Sequence, residues 1–109
     1  MINQPPKIIF GRNTAKTFVY PNNCLVITSK GAKKRNWLNY TNLEKSYIFD
    51  QVESNPKMIT IEKIISEFQS SNFSHIIGIG GGSSLDVAKY VAWKLNKKKI
   101  LIPTTFGSG

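Results

Sequence analysis

The residues best suited to chemistry stand together in IGIGGGSSLDVAK, residues 77–89: a glycine run through Gly80, Gly81 and Gly82, then Ser83, Ser84 and Asp86. Glycine accepts positive φ and lets another group approach the backbone, while the first turn of a helix presents N–H groups without intrahelical partners at the positive end of its dipole. A glycine run that opens a helix therefore has the parts of an anion site, with the amides around Gly81 and Gly82 available to a phosphate. Ser83 and Asp86 have the Ser-x-x-acid spacing of a capping arrangement, which predicts that a serine caps the helix. The alternative is a turn needed only for close helix-to-strand packing. Three consecutive glycines lose more conformational entropy than such a turn requires, which favours the anion site.

Two familiar phosphate motifs can be tested directly. A P-loop requires Gly-x-x-x-x-Gly-Lys-Ser/Thr, and no Gly-Lys pair occurs in the chain. The dinucleotide fingerprint Gly-x-Gly-x-x-Gly requires a sixth glycine and a later acid for the ribose. Counted from Gly78, the sixth position is Ser83, and Asp86 is the last acidic residue. Neither motif is present.

The elements that must position this turn alternate between two patterns. Short continuous apolar runs predict strands at 7–10 (KIIF), 23–28 (NCLVIT), 46–49 (SYIF), 75–79 (HIIGI) and 100–102 (ILI). Helices are predicted at about 32–43, over the face Ile61, Ile64, Ile65 and Phe68, and over the stripe Leu85, Ala88, Val91, Ala92 and Leu95. This is the pattern of an α/β protein, a Rossmann-like open parallel sheet flanked by helices. Ligands of such sheets bind at the carboxyl ends of the strands, where the glycine run falls.

Composition limits the alternatives. A chain of 109 residues with 40% hydrophobic and 19% charged residues is a globular balance for one domain, or part of one. No apolar run approaches the ~20 residues of a membrane helix, and MINQPPKIIF lacks the features of a signal peptide, so the cytoplasm is expected. Cys24, the single cysteine, lies in an apolar run and reads as a core thiol; there is no disulfide framework or thiolate cluster. The net charge of +9 favours anionic partners. Nucleic acid is supported by charge alone and by no recognition motif.

Taken together, IIGIGGGSSLDVAK and LIPTTFGSG resemble the iron-containing (group III) alcohol dehydrogenases, in the fold group of glycerol dehydrogenase and dehydroquinate synthase. That family carries Gly-Gly-Gly-Ser-x-x-Asp-x-x-Lys after one strand and Pro-Thr-Thr-x-Gly-Thr/Ser after the next. IIFG at 8–11, LVITSK at 25–30 and VESNP at 52–56 add three weaker matches in the same order. The resemblance implies that this chain is the N-terminal, cofactor-binding part of an NAD(P)-dependent alcohol dehydrogenase or aldehyde reductase. Within the fold group, glycerol dehydrogenase, glycerol-phosphate dehydrogenase and dehydroquinate synthase are near alternatives, and a non-catalytic nucleotide- or anion-binding module is a further one.

Carried onto this sequence, the resemblance implies that Gly81, Gly82 and Ser83 hold the pyrophosphate and that Asp86 supports the turn. It implies Asn55 on the adenosine side and Thr104, Thr105 and Ser108 toward the nicotinamide. The family's common aspartate after the second strand is Ser29 here, followed by Lys30, Lys33, Lys34 and Arg35. Losing an acid and gaining cations suits a ribose 2′-phosphate, so NADP is expected over NAD.

The family's metal, Fe2+ or Zn2+, is held by an aspartate and three histidines of a C-terminal helical domain. This chain has one histidine, His75. Residues 1–109 are therefore expected to be an N-terminal fragment without dehydrogenase activity, lacking the metal-binding domain, with a small alcohol or aldehyde as substrate of the whole enzyme. With three helices over a parallel sheet, uncovered apolar surface and self-association, such as a homodimer, are also expected.

Overall fold

The computed structural model describes residues 5–104. Five strands, β1 (Lys7–Ile8), β2 (Cys24–Thr28), β3 (Tyr47–Phe49), β4 (His75–Gly80) and β5 (Lys98–Pro103), form one sheet in the order β1-β5-β4-β2-β3. Every pairing is parallel. β2 and β4 are buried almost throughout, which is why their sequences read as unbroken apolar runs.

The two-residue period of a strand divides these side chains between two cores. On one face Leu25, Ile27, Ile76 and Leu101 pack against Ile64 and Phe68 of α4 (Met58–Phe68) and Val87, Ala88, Val91 and Ala92 of α5 (Gly82–Leu95). On the other, Cys24, Val26, Ile77, Ile79, Ile100 and Ile102 pack against three short helices, α1 (Arg12–Thr17), α2 (Lys30–Lys34) and α3 (Trp37–Tyr40), through Ala15, Ala32, Trp37 and Leu38.

Five helices thus flank the sheet where three were expected. α1 was not anticipated because RNTAKT buries only Ala15 and shows no apolar stripe. The helix predicted near 32–43 is two pieces, since Asn36 adopts the left-handed conformation at φ 70° and breaks the run. Helices cover both faces of the sheet, and some apolar surface still remains uncovered, as expected. The large exposed apolar side chains among the described residues are Ile8 and Phe10 at the β1 edge, Val19 in the loop after α1, Tyr47 on β3, Met58 and Ile59 in the first turn of α4, and Trp93 on α5.

The chain direction defines a switch point. β2 leads through α2 and α3 on one face, whereas β4 leads into α5 on the other, and β2 and β4 are neighbours. A crevice at the carboxyl ends of two such strands is where open α/β sheets bind ligands. Buried Thr28 reinforces this end of the sheet: its hydroxyl donates to the Ile79 carbonyl across the β2–β4 pair at 2.6 Å.

Candidate functional site

At the end of β4 the three consecutive glycines do different things. Gly80 has φ 142°, a conformation that side chains rarely adopt, and a Cβ there would meet the Ser84 Cβ at 3.1 Å. Gly81 is the N-cap of α5, with extended backbone at φ −83°. Gly82 begins the helix, and a Cβ built on it would find nothing within 4 Å among the described residues. Among the described residues, nothing packs into the room beside Gly82. Close packing falls to Gly78, where a Cβ would lie 2.7 Å from the Ala88 Cβ, so the missing side chain lets α5 settle onto β4.

The expected capping role of Ser83 is corrected. Ser83 lies inside the first turn, Gly81 is the cap residue, and no side chain caps α5. The Ser83 hydroxyl instead donates to the carbonyl of Ser54, in the loop after β3. The sequence spacing pointed to a local bond, but the hydroxyl is turned to a partner 29 residues away. Asp86, expected to support the turn, lies in the same helix. Its carboxylate is 74% exposed one helical turn further on, and its cationic partner is Lys89 at 3.5 Å.

The remaining residues approach this turn from neighbouring strand ends. Ser54 precedes exposed Asn55, so the Ser83 bond ties the Asn55 loop to the start of α5. The base of that loop is anchored where the Val52 amide donates to the Thr28 carbonyl at 3.2 Å and the Val52 side chain enters the core. Thr104, just past β5, donates its amide to the Gly80 carbonyl at 3.0 Å. Its Oγ1 is buried and has no hydrogen-bond partner among the described residues. Thr105 and Ser108 lie outside the described residues.

Ser29 follows β2 and caps α2, its Oγ accepting from the Ala32 amide at 3.1 Å. Accepting that bond leaves the hydroxyl proton available as a donor. The guanidinium of Arg35 folds back over Gly31 in the first turn of α2; a Cβ on Gly31 would lie 3.2 Å from its Nη1. Lys33 is engaged by an acid that sequence reasoning missed. Its Nζ lies 2.7 Å from Oδ2 of Asp50, the residue after β3. The signal was present in the letters, an acid closing the apolar run YIF, but only the β2–β3 register, with Ile27 beside Phe49, brings it next to the Ser29 segment.

These features fit a dinucleotide. Backbone at Gly82 is open to close approach, the 14-residue helix α5 directs its N-terminal end at the site with no acidic residue in its first turn, and Thr104 holds an unpartnered buried hydroxyl beside it. Away from this end, burial raises the Cys24 thiol to about 11, consistent with a core thiol. His75, at the opposite end of β4, has its pKa lowered by burial and by the neighbouring Lys98. Among the described residues, no three His, Cys, Asp or Glu side chains cluster as metal ligands. No helix there is long and apolar enough to cross a membrane.

An open parallel sheet with a glycine-opened helix at its switch point defines a Rossmann-like α/β domain, and comparison with known proteins makes the class specific. The family model described as iron-containing alcohol dehydrogenase matches residues 5–109. The chain belongs to the iron-containing alcohol dehydrogenase family. A glycerol-1-phosphate dehydrogenase [NAD(P)+] of Methanococcus aeolicus is 43% identical over 86 residues, covering 76% of this chain and 22% of the relative. An NADH-dependent butanol dehydrogenase B of Clostridium acetobutylicum is 30% identical over 100 residues, covering 81% of this chain and 26% of the relative. Among solved structures, an iron-containing alcohol dehydrogenase from Thermotoga maritima superimposes with a TM-score of 0.69 at 26% identity, over 94% of this chain and 37% of that one. The chain thus spans about a quarter of the length of these two curated relatives.

Proposed function

We propose that this chain forms the cofactor-binding part of a metal-dependent NAD(P) alcohol dehydrogenase or aldehyde reductase. The observation that carries the reading is the start of α5: a long helix opened by glycines at the switch point, with no described residue in the room beside Gly82. In this reading the amides of Gly81, Gly82 and Ser83 hold the pyrophosphate, and the Ser83 hydroxyl fixes the loop that presents Asn55 to the adenosine side. The Thr104 hydroxyl faces the cofactor toward its nicotinamide, a role that the family resemblance extends to Thr105 and Ser108. When bound, the nicotinamide supplies hydride transfer to or from a substrate carbon. The metal, Fe2+ or Zn2+, and the substrate pocket belong to a C-terminal domain beyond residues 1–109, and the whole protein works in the cytoplasm.

NADP is the favoured cofactor. Ser29 replaces an acid with a hydroxyl that can donate, and Lys30, Lys34 and the Arg35 guanidinium add positive charge around the same turn. Dissociation constants for NADP and NAD, measured on the full-length protein that carries this chain, test the preference. Tighter binding of NADP is expected, with Ser29→Asp weakening NADP far more than NAD. Tighter binding of NAD by the unaltered protein contradicts it.

A second substrate reading has its own support. The 43% identity to a glycerol-1-phosphate dehydrogenase makes a phosphorylated polyol a second candidate substrate beside a simple alcohol. Turnover of glycerol 1-phosphate against butanol by the full-length protein separates the two.

A further inference from the structure

We propose that Asp50 sets the cofactor selectivity of this site by competing with a ribose 2′-phosphate for the ammonium of Lys33. The inference rests on the reading of the β2 end as the adenosine ribose site.

Three observations place Asp50 there. The parallel register Ile27–Phe49 carries Asp50 level with Thr28, one residue before Ser29. Ser29 begins α2, and Lys33 donates its amide back to the Ser29 carbonyl at 3.1 Å, so Lys33 stands one turn above the hydroxyl that faces the ribose. The Asp50 carboxylate, 23% exposed, then holds the Lys33 ammonium at 2.7 Å. An exposed pair of this kind contributes little to folding, and its effect falls instead on the local field.

That field decides between the two cofactors. A 2′-phosphate brings nearly two negative charges and three strong acceptors, whereas the 2′-hydroxyl of NAD brings no charge. Lys30, Lys34 and Arg35 draw the phosphate in; Asp50 opposes it and keeps Lys33 occupied. The hydroxyl of NAD is indifferent to the repulsion and can donate to a carboxylate. Asp50 therefore moderates a site otherwise tuned for NADP and leaves it usable by NAD.

The test is the ratio of NAD to NADP dissociation constants for the full-length protein, its Asp50→Asn variant, and both in a Lys33→Met background. Neutralising one charge within several ångströms of a phosphate is expected to shift the ratio toward NADP by about fivefold to tenfold at low salt, less as salt rises. The shift should be clearly smaller in the Lys33→Met background, where only the direct repulsion between the Asp50 carboxylate and the phosphate is left. A structural role would weaken both cofactors together and leave the ratio alone. An unchanged ratio, or an equal shift without Lys33, overturns the proposal while the cofactor reading stands. Failure of the unaltered protein to bind either cofactor overturns both.

Discussion

The Ser83 hydroxyl donates to the Ser54 carbonyl, joining the first turn of α5 to the loop after β3. The bond turns two strand-end segments, separated by a whole helix in sequence, into one wall of the site. Ser83→Ala removes it while leaving the helix its backbone ladder. Cofactor affinity of the full-length protein should fall about threefold to tenfold, the scale of one hydrogen bond, with a stability change of no more than about 1 kcal/mol. Equilibrium titration and urea unfolding check the two halves separately.

Gly78 and Gly82 should respond oppositely to the same methyl group. At Gly78 the new Cβ collides with Ala88, so Gly78→Ala is expected to destabilise the fold by about 1–3 kcal/mol, the scale of overpacking. At Gly82 no described residue obstructs the methyl group and alanine is the better helix former, so Gly82→Ala should be neutral or stabilising by up to about 1 kcal/mol. Thermal unfolding of the two variants shows whether the glycines divide into a packing position and an open one.

Thr104 buries a hydroxyl that no described residue satisfies. Thr104→Val keeps its shape and removes the polar atom. The apo protein should be as stable or more stable, by about 1 kcal/mol, while cofactor binding weakens. Parallel melts with and without cofactor would show the ligand-induced gain shrinking in the variant; an apo protein strongly destabilised by valine would count against a ligand-facing hydroxyl.

His75 predicts an acid sensitivity located away from the site. Its folded pKa lies below the ordinary 6.5, through burial and then Lys98, so the unfolded chain binds more protons as pH drops. Its stabilising contribution is complete above about 6.5 and is lost as pH falls through the folded value. Glu53, also lowered, by hydrogen bonds from its own backbone and from Thr60, acts only below its ordinary 4.5. His75→Gln should therefore flatten the urea-midpoint profile just below neutrality and leave the more acidic fall intact.

The sheet was legible because its inner strands β2, β4 and the middle of β5 are buried on both faces, so their letters form uninterrupted apolar runs whose ends fall within two residues of the observed ones. α4 and α5 were legible through their apolar stripes. What escaped was short or non-local. α1 has too few buried residues to print a period, and Asn36 breaks a helix by a conformation its letter permits but does not require. Ser83 was assigned a cap because spacing describes only neighbours in sequence, while its actual acceptor arrives through the sheet. Asp50 went unnoticed for the same reason: its meaning depends on β3 lying beside β2, a pairing no local pattern encodes.

The central claim is that the backbone around Gly82 receives the cofactor's pyrophosphate. Its most direct measurement is fluorescence titration of NADPH into the full-length protein that carries this chain, unaltered and as Gly82→Ala. Saturable binding by the unaltered protein, weakened at least tenfold by one methyl group that does not lower the melting temperature, is the predicted result. Equal affinity in the two proteins, or no binding in either, would contradict it.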